Sequence, residues 1–196
     1  KTPRYAIMAN GNISIHQGAV VTLTLSNNTN AIRVGNVNKP EDTGSGDSGN
    51  VTISGTLNVI VPVNILPTSL DTRVQYSGNK RTDAVIWLGH GMQVLSGGAF
   101  NVDAAISDNS DAGLYYAFVY GPYSNMIKGG GSREPSMSQI TVLQNGSMNV
   151  SMNTGSKSNP IRFAYVPIVA YNPKAFNIVL NVTPGTTKSS DGVKLS

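Results

Sequence analysis

Apolar and polar residues alternate along most of this chain. The longest run covers residues 51–65. Val51, Ile53, Leu57, Val59, Val61, Val63 and Ile65 hold odd positions, with Gly55 among them; Thr52, Ser54, Thr56, Asn58, Ile60, Pro62 and Asn64 hold the even ones. A period of two puts one set of side chains on each face of a β-strand. At about 3.3 Å per residue the run would span roughly 50 Å, far beyond the usual strand. It is therefore expected to bend, at Gly55 and at Pro62. Pro62 has no N–H for a ladder, so its part of the run belongs at an edge, a bulge or a strand end.

Further strands are predicted over residues 19–26, 31–37, 73–77, 83–88, 99–106, 114–120, 139–143, 148–152, 161–171 and 176–182. Turns fall at glycine-, asparagine- and proline-rich breaks between them. Asn145-Gly146 is the clearest hairpin signal, because both central residues of a type I′ turn need positive φ. Residues 5–15 read either as a hairpin about Asn10-Gly11 or as one strand, and the unbroken alternation favours the strand. No segment keeps a capped 3.6-residue period, and no internal repeat of fixed period is visible. About a dozen strands separated by turn signals predict an all-β chain with little or no helix. The expected architecture is an antiparallel β-sandwich, Ig-like and pilin-like or jelly-roll. Residues 1–17 read as an N-terminal extension, 18–183 as the sandwich and 184–196 as a polar tail.

Composition narrows the function classes. A chain of 196 residues can bury roughly 70% of its unfolded surface as one domain without staples. Cysteine is absent, which excludes disulfides, zinc–thiolate sites and thiol catalysis. Charged residues make up 12%, against a usual share near ~25%. Asparagine, serine, threonine and glycine must then cover most of the surface, as in secreted and filamentous β-proteins. The net charge of +4 comes from scattered Lys and Arg, with only Lys80 and Arg81 adjacent, so no nucleic-acid partner is expected. No apolar run reaches the ~18 residues a spanning helix needs. The chain begins at Lys1, the kind of start that a cleaved secretory leader leaves.

Motifs that carry chemistry are weak here. Gly46-Asp47-Ser48-Gly49 has the letters of a serine-protease nucleophile, but Ser48 precedes His90, and His16 lacks the surroundings of a catalytic base. Trp87-Leu88-Gly89-His90-Gly91 has no second histidine at ligand spacing. Asp103, Asp108 and Asp111 depart from the EF-hand pattern and lack its closing glutamate. Gly129-Gly130-Gly131-Ser132 is not followed by a phosphate-loop lysine. No catalytic residue, metal site or cofactor is therefore predicted. Asn12, Asn27, Asn50, Asn145, Asn149 and Asn181 stand in Asn-x-Ser/Thr triplets and are candidate glycosylation sites.

With its low-charge surface, missing cysteine and alternating N-terminal segment, the chain resembles subunits of extracellular filaments built by strand donation. These are the cysteine-free pilins of chaperone–usher fimbriae and the thread-like surface filaments of archaea. The resemblance implies that Tyr5, Ile7, Ala9, Gly11, Ile13 and Ile15 form a donor strand that completes a neighbour's sheet. It implies a secreted structural subunit of a cell-surface filament, assembled head to tail and serving adhesion or attachment. Its partners would be identical subunits, with an assembly chaperone or host-surface glycans as further candidates. Two other readings stand beside it, a jelly-roll viral or phage coat protein and a monomeric carbohydrate-binding adhesin. The adhesin would need exposed aromatics, for which Tyr115, Tyr116, Tyr120 and Tyr123 are the candidates.

Overall fold

The computed structural model describes residues 4–27, 29–35, 49–63, 65, 84–106, 116–120, 139–154, 161–164 and 166–182. Those residues form strands joined by corners, with no helix among them. The strands are β1 (Arg4–Ala9), β2 (Ile13–Ile15), β3 (Val20–Thr24), β4 (Thr29–Val34), β5 (Asn50–Ile53), β6 (Thr56–Val61), β7 (Ile86–Trp87), β8 (Gly91–Val94), β9 (Ala99–Ile106), β10 (Tyr116–Tyr120), β11 (Gln139–Val142), β12 (Ser147–Thr154), β13 (Ile161–Ala164), β14 (Ile168–Ala170) and β15 (Ala175–Val182).

These strands build three sheets of five strands each. Sheet A runs β1-β4-β7-β10-β13, sheet B runs β2-β5-β8-β11-β14, and sheet C runs β3-β6-β9-β12-β15. Each third strand returns to the same sheet, so the chain winds through A, B and C five times and stacks one rung on the next. Every pairing in sheet C is parallel and in register, and so are those of sheet B and sheet A. This is a parallel β-solenoid, an architecture in which each rung buries its apolar face only against its neighbours.

The expected antiparallel sandwich, whether Ig-like, pilin-like or jelly-roll, is overturned by that parallel pairing. Alternation tells which face of a strand is buried; it does not tell the direction of the strand's partner. The long run at 51–65 shows the difference. It bends at Ser54-Gly55 as expected, and its strand ends at Val61, just before Pro62. Its two halves, however, belong to sheets B and C, each paired to the rungs above and below.

Asn145-Gly146 is likewise a corner and not a hairpin, since β11 and β12 lie in different sheets. Only the first residue of the pair takes the positive φ that a type I′ turn gives to both. Asn145 has φ 61, and Gly18 and Gly97 hold the matching place in their own corners with φ 82 and 77. Asparagine and glycine tolerate this left-handed conformation best. The next residue answers a different need. Gly55, Gly98 and Gly146 hold one equivalent place; the Gly55 and Gly98 carbonyls accept the N–H groups of Ala99 and Ser147, which open the next sheet C strands, and the Gly146 carbonyl accepts that of Lys174, just before β15. A Cβ there would lie 2.3 Å from the His16 carbonyl oxygen, 2.2 Å from that of Ile53 and 2.9 Å from that of Val94 respectively. Each clash is with the preceding rung. The first rung has none before it, and Ala19 stands at that place; in the last rung, where the corner bond shifts to the Lys174 N–H, Lys174 stands there.

Side chains of one face stack in columns through the interior. Val21, Leu57, Phe100, Met148 and Phe176 make one column, and Leu23, Val59, Val102, Val150 and Ile178 the next. In the middle rungs these residues are buried. In the first and last rungs they are not fully covered: Ile7, Ile13, Val21 and Leu23 at one end, and Ile168, Ile178 and Leu180 at the other, are only partly buried against the core.

Candidate functional site

The outward face of sheet C carries the most regular feature of the molecule. Alternation that buries Leu57, Val59 and their column mates turns Asn58, Asn101, Asn149 and Asn177 outward at one register position. Their amides bond in series. Asn58 Nδ2 donates to Thr22 Oγ1 at 3.1 Å, Asn101 Nδ2 to Asn58 Oδ1 at 2.9 Å, Asn149 Nδ2 to Asn101 Oδ1 at 3.0 Å, and Asn177 Nδ2 to Asn149 Oδ1 at 3.0 Å. A shorter ladder lies further along the strands, with Asn181 Nδ2 on Asn153 Oδ1 at 2.8 Å. Amide ladders of this kind form wherever identical side chains repeat at the ~4.8 Å strand spacing.

A ladder amide uses one N–H and one oxygen lone pair along the row. The second of each remains available across the row, because a primary amide offers two donors and two acceptor positions. The adjoining row holds Thr24, Ile60, Asp103, Ser151 and Val179. Between the rows lies a shallow depression of about 400 Å³ lined by the four ladder asparagines, Ile60, Asp103, Ser151 and Val179. The surface that lines the depression is almost wholly apolar, although ladder asparagines border it. Asp103 is the single carboxylate of the depression, so no acid–base pair is assembled there. Among the described residues no group of three or more His, Cys, Asp or Glu could hold a metal ion.

Sequence reasoning missed this ladder, although a signal existed. Leu57-Asn58-Val59, Phe100-Asn101-Val102, Met148-Asn149-Val150 and Phe176-Asn177-Ile178 are one tripeptide written four times. The intervals between copies are unequal, because the connections from sheet C to sheet A and from sheet A to sheet B differ in length from rung to rung, and a search for a fixed period passes over them.

The structure distributes the expected donor-strand residues over the first rung. Tyr5, Ile7 and Ala9 lie in β1, in register with Asn30, Ile32 and Val34 of the same chain. Gly11 lies in the corner, and Ile13 and Ile15 lie in β2 beside Val51 and Ile53. Of the sequon asparagines, Asn12 is exposed and accepts the Asn50 N–H at 2.9 Å. Asn27 and Asn145 are exposed, Asn50 opens β5, and Asn149 and Asn181 are ladder members. A glycan on Asn149 would stand in the middle of sheet C and displace a rung of the ladder. His90 is exposed in the β7–β8 corner, and Gly49 is buried against the Val34 side chain, where a Cβ would come within 2.6 Å of Val34 Cγ1. Asp103 points outward from the middle of β9. The strand expected over residues 73–77, the rest of the Gly46–Gly49 and Asp108–Asp111 motifs, Gly129–Ser132, Tyr115, Tyr123 and the 184–196 tail lie outside the described residues; Tyr116 and Tyr120 lie in β10.

Sheet A differs in character. Every described residue from Asn30 to Gly35 and from Ala84 to Gly89 is buried. Arg33 is buried there with its guanidinium carbon 5.3 Å from the centre of the Trp87 ring and 5.9 Å from that of Tyr5, a separation at which a cation is attracted to the ring face. Phe118 and Phe163 stack with ring centres 5.9 Å apart. No helix among the described residues is long and apolar enough to cross a membrane. No protein-family model, curated protein or solved structure matches the chain.

Proposed function

We propose that the chain is a secreted structural subunit of a cell-surface filament, assembled head to tail from identical copies and serving attachment. One observation carries the reading: the apolar columns run the length of the solenoid and stay partly uncovered at both ends. The strands that close those ends in sheets B and C add to it. β2, β3, β14 and β15 contain no charged residue and no proline. Natural proteins guard open sheet edges with lysine, proline or bulges, because an unguarded edge pairs with another chain. A contact between two different ends repeats without closing and yields a fibre. The low-charge, cysteine-free composition suits an extracellular setting.

Concentration-dependent sedimentation with negative-stain imaging tests this. Mass should rise with concentration and unbranched fibres should appear. A single monomeric species up to millimolar concentration would sink the filament reading.

The depression on sheet C favours a second reading, a carbohydrate-binding adhesin, since an apolar lining bordered by neutral amides suits the C–H face of a sugar. A glycan array separates the two. Binding that is lost in an Asn101→Ala variant supports the adhesin, and an array without hits removes it.

A further inference from the structure

The asparagine ladder has a direction, and its two ends fit each other. Every Nδ2 donates toward the first rung, through Asn177, Asn149, Asn101 and Asn58, and the series ends on the Thr22 hydroxyl. At the last rung Asn177 Oδ1 meets no donor among the described residues. At the first rung the Thr22 hydroxyl accepts from Asn58 and keeps its own hydrogen to give. One end therefore presents an acceptor and the other a donor, at the same register position.

We propose that copies of this chain stack with β3 of one molecule in register on β15 of the next, Thr22 Oγ donating to Asn177 Oδ1. The proposal rests on the filament reading and names its contact. Register within the chain supports it. Following the pairings from rung to rung sets Val21, Thr22, Leu23 and Thr24 in line with Phe176, Asn177, Ile178 and Val179. Apolar inward positions then meet Phe176 and Ile178, and the polar Thr22 meets the ladder. The same alignment holds in sheet B, where Ile13 stands in line with Ile168. A shift by one residue would set Thr22 on the inward column, as any one-residue slip of a strand exchanges its faces. Phe176 is 39% exposed although it points along the core column, and a sixth rung would cover it. The occupant is a second copy because both halves of this match, the donor row and the apolar columns, are supplied by this chain's own first rung.

The absence of cysteine makes the contact testable. Thr22→Cys and Asn177→Cys variants are purified separately, checked for native far-UV circular dichroism, mixed and oxidised. In-register parallel neighbours lie ~4.8 Å apart, within the Cα separation a disulfide bridges. The mixture should give a reducible dimer, with neither variant cross-linking alone. A dimer from Asn177→Cys alone would mean a tail-to-tail contact and overturn the proposal. So would a wild-type chain that assembles in sedimentation while the mixture stays uncross-linked; the filament reading would then survive with another contact. A wild-type chain that stays monomeric defeats both. Should either variant fail to fold, wild-type fibres decide: five rungs per copy predict an axial repeat of roughly 24 Å, and a different repeat rejects this stacking.

Discussion

Sheets A and C are made by the same winding of the same chain, yet they follow different rules. Sheet C has one buried and one solvent face, strands of up to eight residues and an uninterrupted register from β6 to β15. Sheet A is covered on both faces around β4 and β7, and β7 is only two residues long. Its outward positions therefore hold aromatic and apolar groups, with Arg33 lodged by Tyr5 and Trp87. A face that must meet water can be specified by alternation; a face that must be covered needs specific packing. Stability should accordingly rest on side-chain volume in sheet A and on backbone spacing and amide pairing in sheet C.

The largest effect is expected in sheet A. Phe118 is fully buried and stacked on Phe163. Phe118→Ala removes a buried ring and leaves a cavity, at a cost of about 3–5 kcal/mol. Chemical denaturation should show the midpoint falling with the slope little changed. A loss below ~1 kcal/mol would show that sheet A is loosely covered, and the contrast between the sheets would collapse.

The same contrast explains what could be read from the sequence. In sheet C strand positions were legible, since residues 99–106 are β9 and 176–182 fall within β15, but the parallel direction of their partners was not. The bend at Gly55 was also legible, because glycine in an alternating run marks a close approach. In sheet A the runs at 84–88 and 116–120 carry apolar or aromatic residues on both faces, which fits any interior strand and gives neither partner nor direction. β8 went unseen because Gly91-Met92-Gln93-Val94 is short and sits behind a glycine-rich corner. The deeper failure was of connection. A corner and a hairpin turn use the same residues, so Asn145-Gly146 cannot tell a strand that folds back from one that turns into the next sheet. Only the recurrence of corner and Asn tripeptide together distinguishes them, and unequal loops hid that recurrence.

Two adjacent glycines sharpen the account of the corners. Gly98→Ala puts a Cβ against the Ile53 carbonyl. Backbone cannot swing aside as a side chain does, so a loss of about 1–3 kcal/mol is expected. Gly97→Ala meets no atom within 4 Å and suffers only the left-handed backbone, φ 77, worth about 1–2 kcal/mol. Thermal unfolding of the two variants should therefore rank Gly98→Ala below Gly97→Ala. The reverse order would mean that conformation, not the rung below, selects glycine at these corners.

The smallest effect belongs to the ladder. Asn101 sits between Asn58 and Asn149, giving one bond and accepting another. Asn101→Ala deletes both, but the residue is only half-buried and water can replace what is lost. The net cost should be about 1 kcal/mol, near the value of a single hydrogen bond. Asn101→Asp separates two roles. The carboxylate still accepts from Asn149, but it can no longer donate to Asn58, and it brings a second negative charge beside Asp103. If the ladder is a directed chain, Asp should destabilise more than Ala. If the row is held only by its backbone, Ala and Asp should unfold at the same denaturant concentration, and the asparagines would be there for what they present to the outside.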